Sequence, residues 1–144
     1  MRFIGFSFKY ISIEKVKESK GNINVNTDMK IKDLKKSSSD LFKEKDTFLV
    51  EYEFNIEYQP NFANVLFKGN LIFLLDGKED EELVKGYLEG WKEKKLPEEF
   101  SRSILQIVFN KCNLKALQLE EYLNLPSHIP GPVFQNLNKD NRKK

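Results

Sequence analysis

The residues from Thr47 to Asp76 constrain what this chain can fold into more than any others. Phe48, Val50, Tyr52, Phe54, Ile56 and Tyr58 alternate with Leu49, Glu51, Glu53, Asn55, Glu57 and Gln59. Side chains with a period of two fall on opposite faces of a strand, so the first row belongs to a core and the second is largely wet. Pro60-Asn61 supplies a turn, and the chain returns from Phe62 to Leu75. There Ala63, Val65, Phe67, Leu71, Phe73 and Leu75 line one face, while Leu66, Ile72 and Leu74 line the other. A strand apolar on both faces must be covered twice. In so short a chain the second cover is expected from another subunit, which makes Leu66, Ile72 and Leu74 the candidate oligomer-interface residues.

Two more strands precede this hairpin. Strand one spans about Phe3 to Val16. Its apolar parity switches between Phe6, Phe8 and Tyr10 on one side and Ile11 and Ile13 on the other, which places a β-bulge near Tyr10. Gly21-Asn22 is a turn signal, and strand two runs from Ile23 to about Leu34. Lys35 to Asp46, with a serine triplet and several charges, reads as a loop. With no helix between them, these four strands predict an antiparallel meander or a close relative.

Helices follow the strands. Leu83, Tyr87 and Trp91 recur at i, i+4 and i+8 within Glu79 to Lys95, with acids at the start and lysines at the end. Pro97 suits the first turn of a second helix. Phe100, Ile104, Val108, Cys112, Ala116, Leu119 and Leu123 then form a stripe that can run to Asn124, with a break near Asn110–Asn113 left open. Leu125-Pro126 ends it. Strands first and helices second predict an α+β fold: a four-stranded antiparallel sheet followed by two helices. Residues 1–137 read as one domain and 138–144 as a basic, disordered tail.

Catalytic chemistry finds no support. Cys112 and His128 each stand alone, which excludes a sequence-level zinc pattern. Cys112 sits on the apolar stripe as a core residue, and His128, among prolines, reads as an exposed loop residue. The carboxylates Glu51, Glu53 and Glu57 fit a wet strand row, and Glu79 to Glu82 fit a helix start. No glycine-rich phosphate loop occurs. A single cysteine, the lack of a signal-peptide pattern and the lack of a long apolar run suggest a cytoplasmic protein without direct membrane insertion. A net charge of +2 is no nucleic-acid footprint. No enzyme activity and no cofactor are expected. Twelve Phe and five Tyr instead point to a large core, an interface, or a surface for apolar partners. Leu41 and Phe42 in the long loop, and Ile129, Val133 and Phe134 after the second helix, are the apolar candidates for contacting such a partner.

As a whole the organisation resembles the SecB-like protein-export chaperones, and especially their archaeal members. The likeness spans roughly residues 3–137. It lies in the four successive strands, the Thr47–Leu75 hairpin, the acidic start at Glu79, the stretch from Leu96-Pro97-Glu98-Glu99 through Cys112, and the exit Leu123-Asn124-Leu125-Pro126 followed by Ile129-Pro130-Gly131-Pro132. The resemblance implies a homo-oligomer, dimer or tetramer, that holds unfolded polypeptides in apolar grooves without ATP. It implies service in protein export or in the protection of antitoxins. The slightly basic charge departs from the acidic surface with which SecB meets the export motor. Two other readings stand beside it: a dedicated interaction subunit binding one folded partner, and a small-molecule-binding α+β protein.

Overall fold

In the computed structural model, which describes residues 1–16, 21–38 and 46–129, four strands form one antiparallel sheet and two helices lie on it. The strands are β1 (Arg2–Lys15), β2 (Asn24–Ser38), β3 (Asp46–Gln59) and β4 (Ala63–Leu74). The helices are α1 (Gly77–Trp91) and α2 (Glu98–Tyr122). The predicted loop after Leu34 begins later than expected, because β2 continues to Ser38 and pairs there with Asp46 at the start of β3.

The strand order is β1-β4-β3-β2. β2, β3 and β4 follow one another as a meander, but β1 crosses the sheet to pair with β4. That is a Greek-key arrangement, and it corrects the simple meander. Alternation alone cannot separate the two, because β1 offers the same apolar row to either neighbour. β1 carries two irregularities, between Phe3 and Gly5 and between Phe8 and Tyr10. Each skips one residue. They bring Phe3, Phe6, Phe8, Ile11 and Ile13 opposite Phe73, Leu71, Gly69, Phe67 and Val65, all on one face. The predicted bulge is present one position earlier than the parity switch suggests, and Tyr10 turns to the other face, where Lys68 Nζ lies 5.5 Å from its ring centroid.

The core forms on the face shared by those residues and by the apolar row of β3. Phe48, Val50, Phe54 and Ile56 are fully buried, as are Val65, Phe67 and Leu71 of β4. α1 contributes Tyr87, which stacks on Phe100 at 4.2 Å and on Phe48 at 6.3 Å. Trp91 Nε1 donates to Asp33 Oδ1 at 3.2 Å, so the strand just after the β2 irregularity between Ile31 and Asp33 braces the end of α1. The three lysines predicted to finish α1 lie beyond it. Gly90 allows that exit: a Cβ there would meet the Lys95 carbonyl oxygen at 2.5 Å.

α2 is unbroken through Asn110–Asn113. Its apolar stripe seats Phe100, Ile104, Val108, Cys112 and Ala116 on the sheet. It ends in a Schellman motif: Leu125 N–H donates to the Glu120 carbonyl at 2.8 Å, Asn124 N–H donates to the Glu121 carbonyl at 3.3 Å, and Asn124 takes the left-handed φ of 53°. Asparagine tolerates that conformation better than most residues.

Candidate functional site

The helices pack chiefly over β2 and β3. Among the described residues, they leave the β1 side of the same face less covered. Along that side, aromatic side chains interlock with the core from below. Phe6 stacks on Tyr52 at 4.7 Å, Phe8 meets Phe67 edge-on at 5.7 Å, and Phe3 tilts against Phe73 at 5.5 Å. Their outer surfaces and neighbours remain accessible: Phe3 is 38% exposed and Ile11 46%. β1 is also an edge strand, with its second row of backbone N–H and C=O groups unpaired by the sheet. The result, among the described residues, is an apolar strip beside a strand edge that no other strand pairs. It suits an extended polypeptide, whose backbone can pair with the edge while alternate side chains rest on the strip.

A second apolar hollow lies across α2, where Met29 of β2 and Leu105 and Phe109 of α2 border a cavity of about 570–920 Å³ depending on how its open mouth is counted. The polar face of the sheet is different again. Lys32 pairs with Glu53 at 3.4 Å and Lys35 with Glu51 at 3.0 Å, and Leu66 and Ile72 are half-buried among such groups. Leu74, on that same face, is 2% exposed in the single chain and so has little surface left for a partner to bury.

Of the predicted contact residues, Ile129 is half-buried at the end of the described chain. Leu41, Phe42, Val133 and Phe134 lie outside the described residues. The accessible residues of β1 were not singled out from sequence. Their alternation signals a buried row, and only the position of the helices shows which part of the row is left open.

His128 corrects its reading as an exposed loop residue. Its side chain is 1% exposed. Nδ1 lies 2.5 Å from Glu120 Oε1 and Nε2 lies 2.5 Å from Asn113 Oδ1, while the ring packs edge-on against Phe54 at 6.2 Å. Glu120 is itself buried, because it occupies the next position of the α2 stripe after Ala116. Two further bonds hold the same exit: Tyr58 Oη donates to the Pro126 carbonyl at 2.8 Å, and Lys15 Nζ donates to the Leu123 carbonyl at 3.2 Å. A carboxylate on an otherwise apolar stripe, eight residues before a histidine, is the sequence signal that could have found this cluster.

Burial also sets the titration of the core. It pushes the Tyr52 and Tyr58 hydroxyls upward, with smaller contributions from Cys112 and Glu120 respectively, and pushes the Cys112 thiol up to about 12. These groups hold their protons in the folded chain when the unfolded chain has begun to release them. The associated stability is complete below the unfolded cysteine value of about 8.5 and is lost as pH rises through the folded values. The urea midpoint should therefore fall between pH 8 and pH 11, and Cys112 should resist a thiol reagent at pH 8 until the chain unfolds. Rapid labelling of the folded protein would contradict its burial. Among the described residues, no cluster of three His, Cys, Asp or Glu side chains could hold a metal, and no helix is long and apolar enough to cross a membrane.

No known family profile matches the chain, and no curated protein matches it in sequence. A likeness appears among solved structures. The fold is similar to that of a SecB-like chaperone from Mycobacterium tuberculosis, solved in complex with a ChAD peptide from the HigA1 antitoxin. The TM-score is 0.51 at 9% sequence identity, over 94% of this chain and 92% of that one. The α+β architecture, a four-stranded antiparallel sheet followed by two helices, is thus a SecB-like fold.

Proposed function

We propose that this protein is an ATP-independent holding chaperone that binds extended, non-native polypeptide segments. The observation that carries the proposal is the open apolar strip of β1, with Phe3 and Ile11 accessible beside a strand edge that no other described strand pairs. Apolar burial at about 25 cal/mol per Å² drives capture, and it needs no nucleotide. Loss of conformational freedom in the client opposes it, which keeps the complex reversible. The fold supports the reading, since the similar mycobacterial chaperone carries a bound antitoxin peptide. Antitoxin protection and protein export are two settings for such an activity.

The protein acts as a homo-oligomer in this proposal. Leu83 on α1 is 46% exposed, and the half-buried Leu66 and Ile72 lie on the opposite sheet face; each offers apolar surface to another copy. Self-association of this kind would leave several client strips on one particle.

The test is light scattering of a chemically denatured client diluted into buffer with the purified protein, whose solution mass is measured in parallel. Suppression of aggregation near equimolar ratio by a particle heavier than one chain is the expected result. Ile11→Asp, at an exposed position, should cut suppression severalfold without loss of folding. No suppression at a several-fold excess would sink the proposal. Suppression restricted to one co-purifying partner would favour the dedicated interaction subunit.

A further inference from the structure

We infer that the open strip prefers client segments in which acidic residues are interspersed among apolar ones; this deepens the chaperone reading above and rests on it. The inference comes from the flank of α2 that overlooks the strip. Buried residues of α2, from Phe100 to Glu120, recur at every fourth position and mark the side seated on the sheet. One position after this row stand Leu105 and Phe109, which share a hollow with Met29, so that flank overlooks β2. One position before the row stand Glu99, Ser103, Ile107, Lys111, Lys115 and Leu119; Glu99 lies at the helix start near Tyr87 of α1, about 18 Å along the axis from Lys111. They form the opposite flank, towards β4 and β1. The contact from Lys15 on β1 to the carbonyl of Leu123, which ends this flank, agrees with that direction.

Lys111 is exposed and Lys115 half-buried. Neither has an ion-pair partner among the described residues. They stand one turn apart, where like charges repel. The nearby acids of α2 do not relieve them: Glu120 is buried against His128, and Glu121 belongs to the other flank. The strand rows facing the strip add no acid. β1 contributes Phe3, Phe6, Phe8, Ile11, Ile13 and then Lys15, and the facing row of β4 carries no charged residue. A client lying on the strip would thus draw two unpaired ammonium groups into a less watery setting. Carboxylates on the client offset that cost, and added lysines aggravate it.

Three fluorescein-labelled peptides test this by anisotropy. They share one pattern of Leu and Phe and carry Glu, Ser or Lys at the intervening positions. The Glu peptide should bind roughly tenfold more tightly than the Lys peptide at low salt, from two favourable pairs gained and two repulsions avoided. High salt should close the gap. Lys111→Glu combined with Lys115→Glu should invert the order with circular dichroism unchanged; should that pair not fold, Lys111→Gln with Lys115→Gln should abolish the gap. Equal binding of all three peptides, or tighter binding of the Lys peptide, overturns the acidic preference and leaves the holding activity standing. If none of the three binds and no aggregation is suppressed, the chaperone reading itself falls, and the preference with it.

Discussion

Gly69→Ala should destabilise the protein by about 3 kcal/mol or more, a loss of roughly 10 °C in Tm. A Cβ built on Gly69 would lie 1.8 Å from the carbonyl oxygen of Ser7 and 2.7 Å from Tyr52 Oη. The first contact is with backbone, which no rotamer change can relieve. Gly69 is opposite both Phe8 of β1 and Tyr52 of β3, next to the irregularity that follows Phe8. Tyr52 uses the vacant space above the glycine to donate its hydroxyl to the Ser7 carbonyl at 3.0 Å. Phe6 then stacks on the Tyr52 ring. A methyl group at Gly69 would therefore push β1 away from β4, disturbing the strip proposed to hold clients. Gly86→Ala is the control. Nothing lies within 4 Å of a Cβ there, and in a helix interior alanine should be favoured by about 0.5–1 kcal/mol. Thermal melts of the two variants should move in opposite directions, and a Gly69→Ala melt within about a degree of the parent would refute the packing described for β1.

Glu120→Ala should cost about 3–5 kcal/mol, because it strands a buried histidine without its carboxylate. The magnitude reflects the missing partner more than the worth of the pair. The double variant Glu120→Leu with His128→Phe replaces both groups by apolar ones of similar bulk, and should recover most of the loss. A double-mutant cycle on chemical denaturation reads this as a coupling between the two positions. Additive effects would mean that the cluster does not act as a unit. The same cluster fixes the chain leaving α2. Hydrogen exchange at Leu125 and His128 should accelerate in Glu120→Ala well before the sheet opens.

Much of the fold was legible because its signals are local. The period-two rows of β3 and β4 need only adjacent residues to specify a buried face, and the fourfold spacing from Phe100 to Ala116 needs only a few turns to specify a helix. The candidate surface was less legible. Leu41, Phe42, Val133 and Phe134 stand out in the sequence as apolar residues in irregular segments, whereas the apolar strip proposed to hold clients lies on β1. A strand row meant for a core and a strand row left open have the same alternation. Local pattern does not distinguish them.

By itself, the sequence determined the type and order of the elements, since side-chain periodicity and turn chemistry act between near neighbours. Tertiary structure decided how those elements meet. It seated β1 beside β4, set two irregularities that align its apolar row, and placed α2 so that one part of the sheet is roofed and another is open. It also decided the fate of single residues: His128 is buried because Glu120 and Asn113 on α2 meet it beside Phe54, and Gly69 must remain glycine because Ser7 approaches from a strand distant in the chain. Such outcomes depend on which surfaces bury together most completely, a property of the packed molecule that no short stretch of the chain contains.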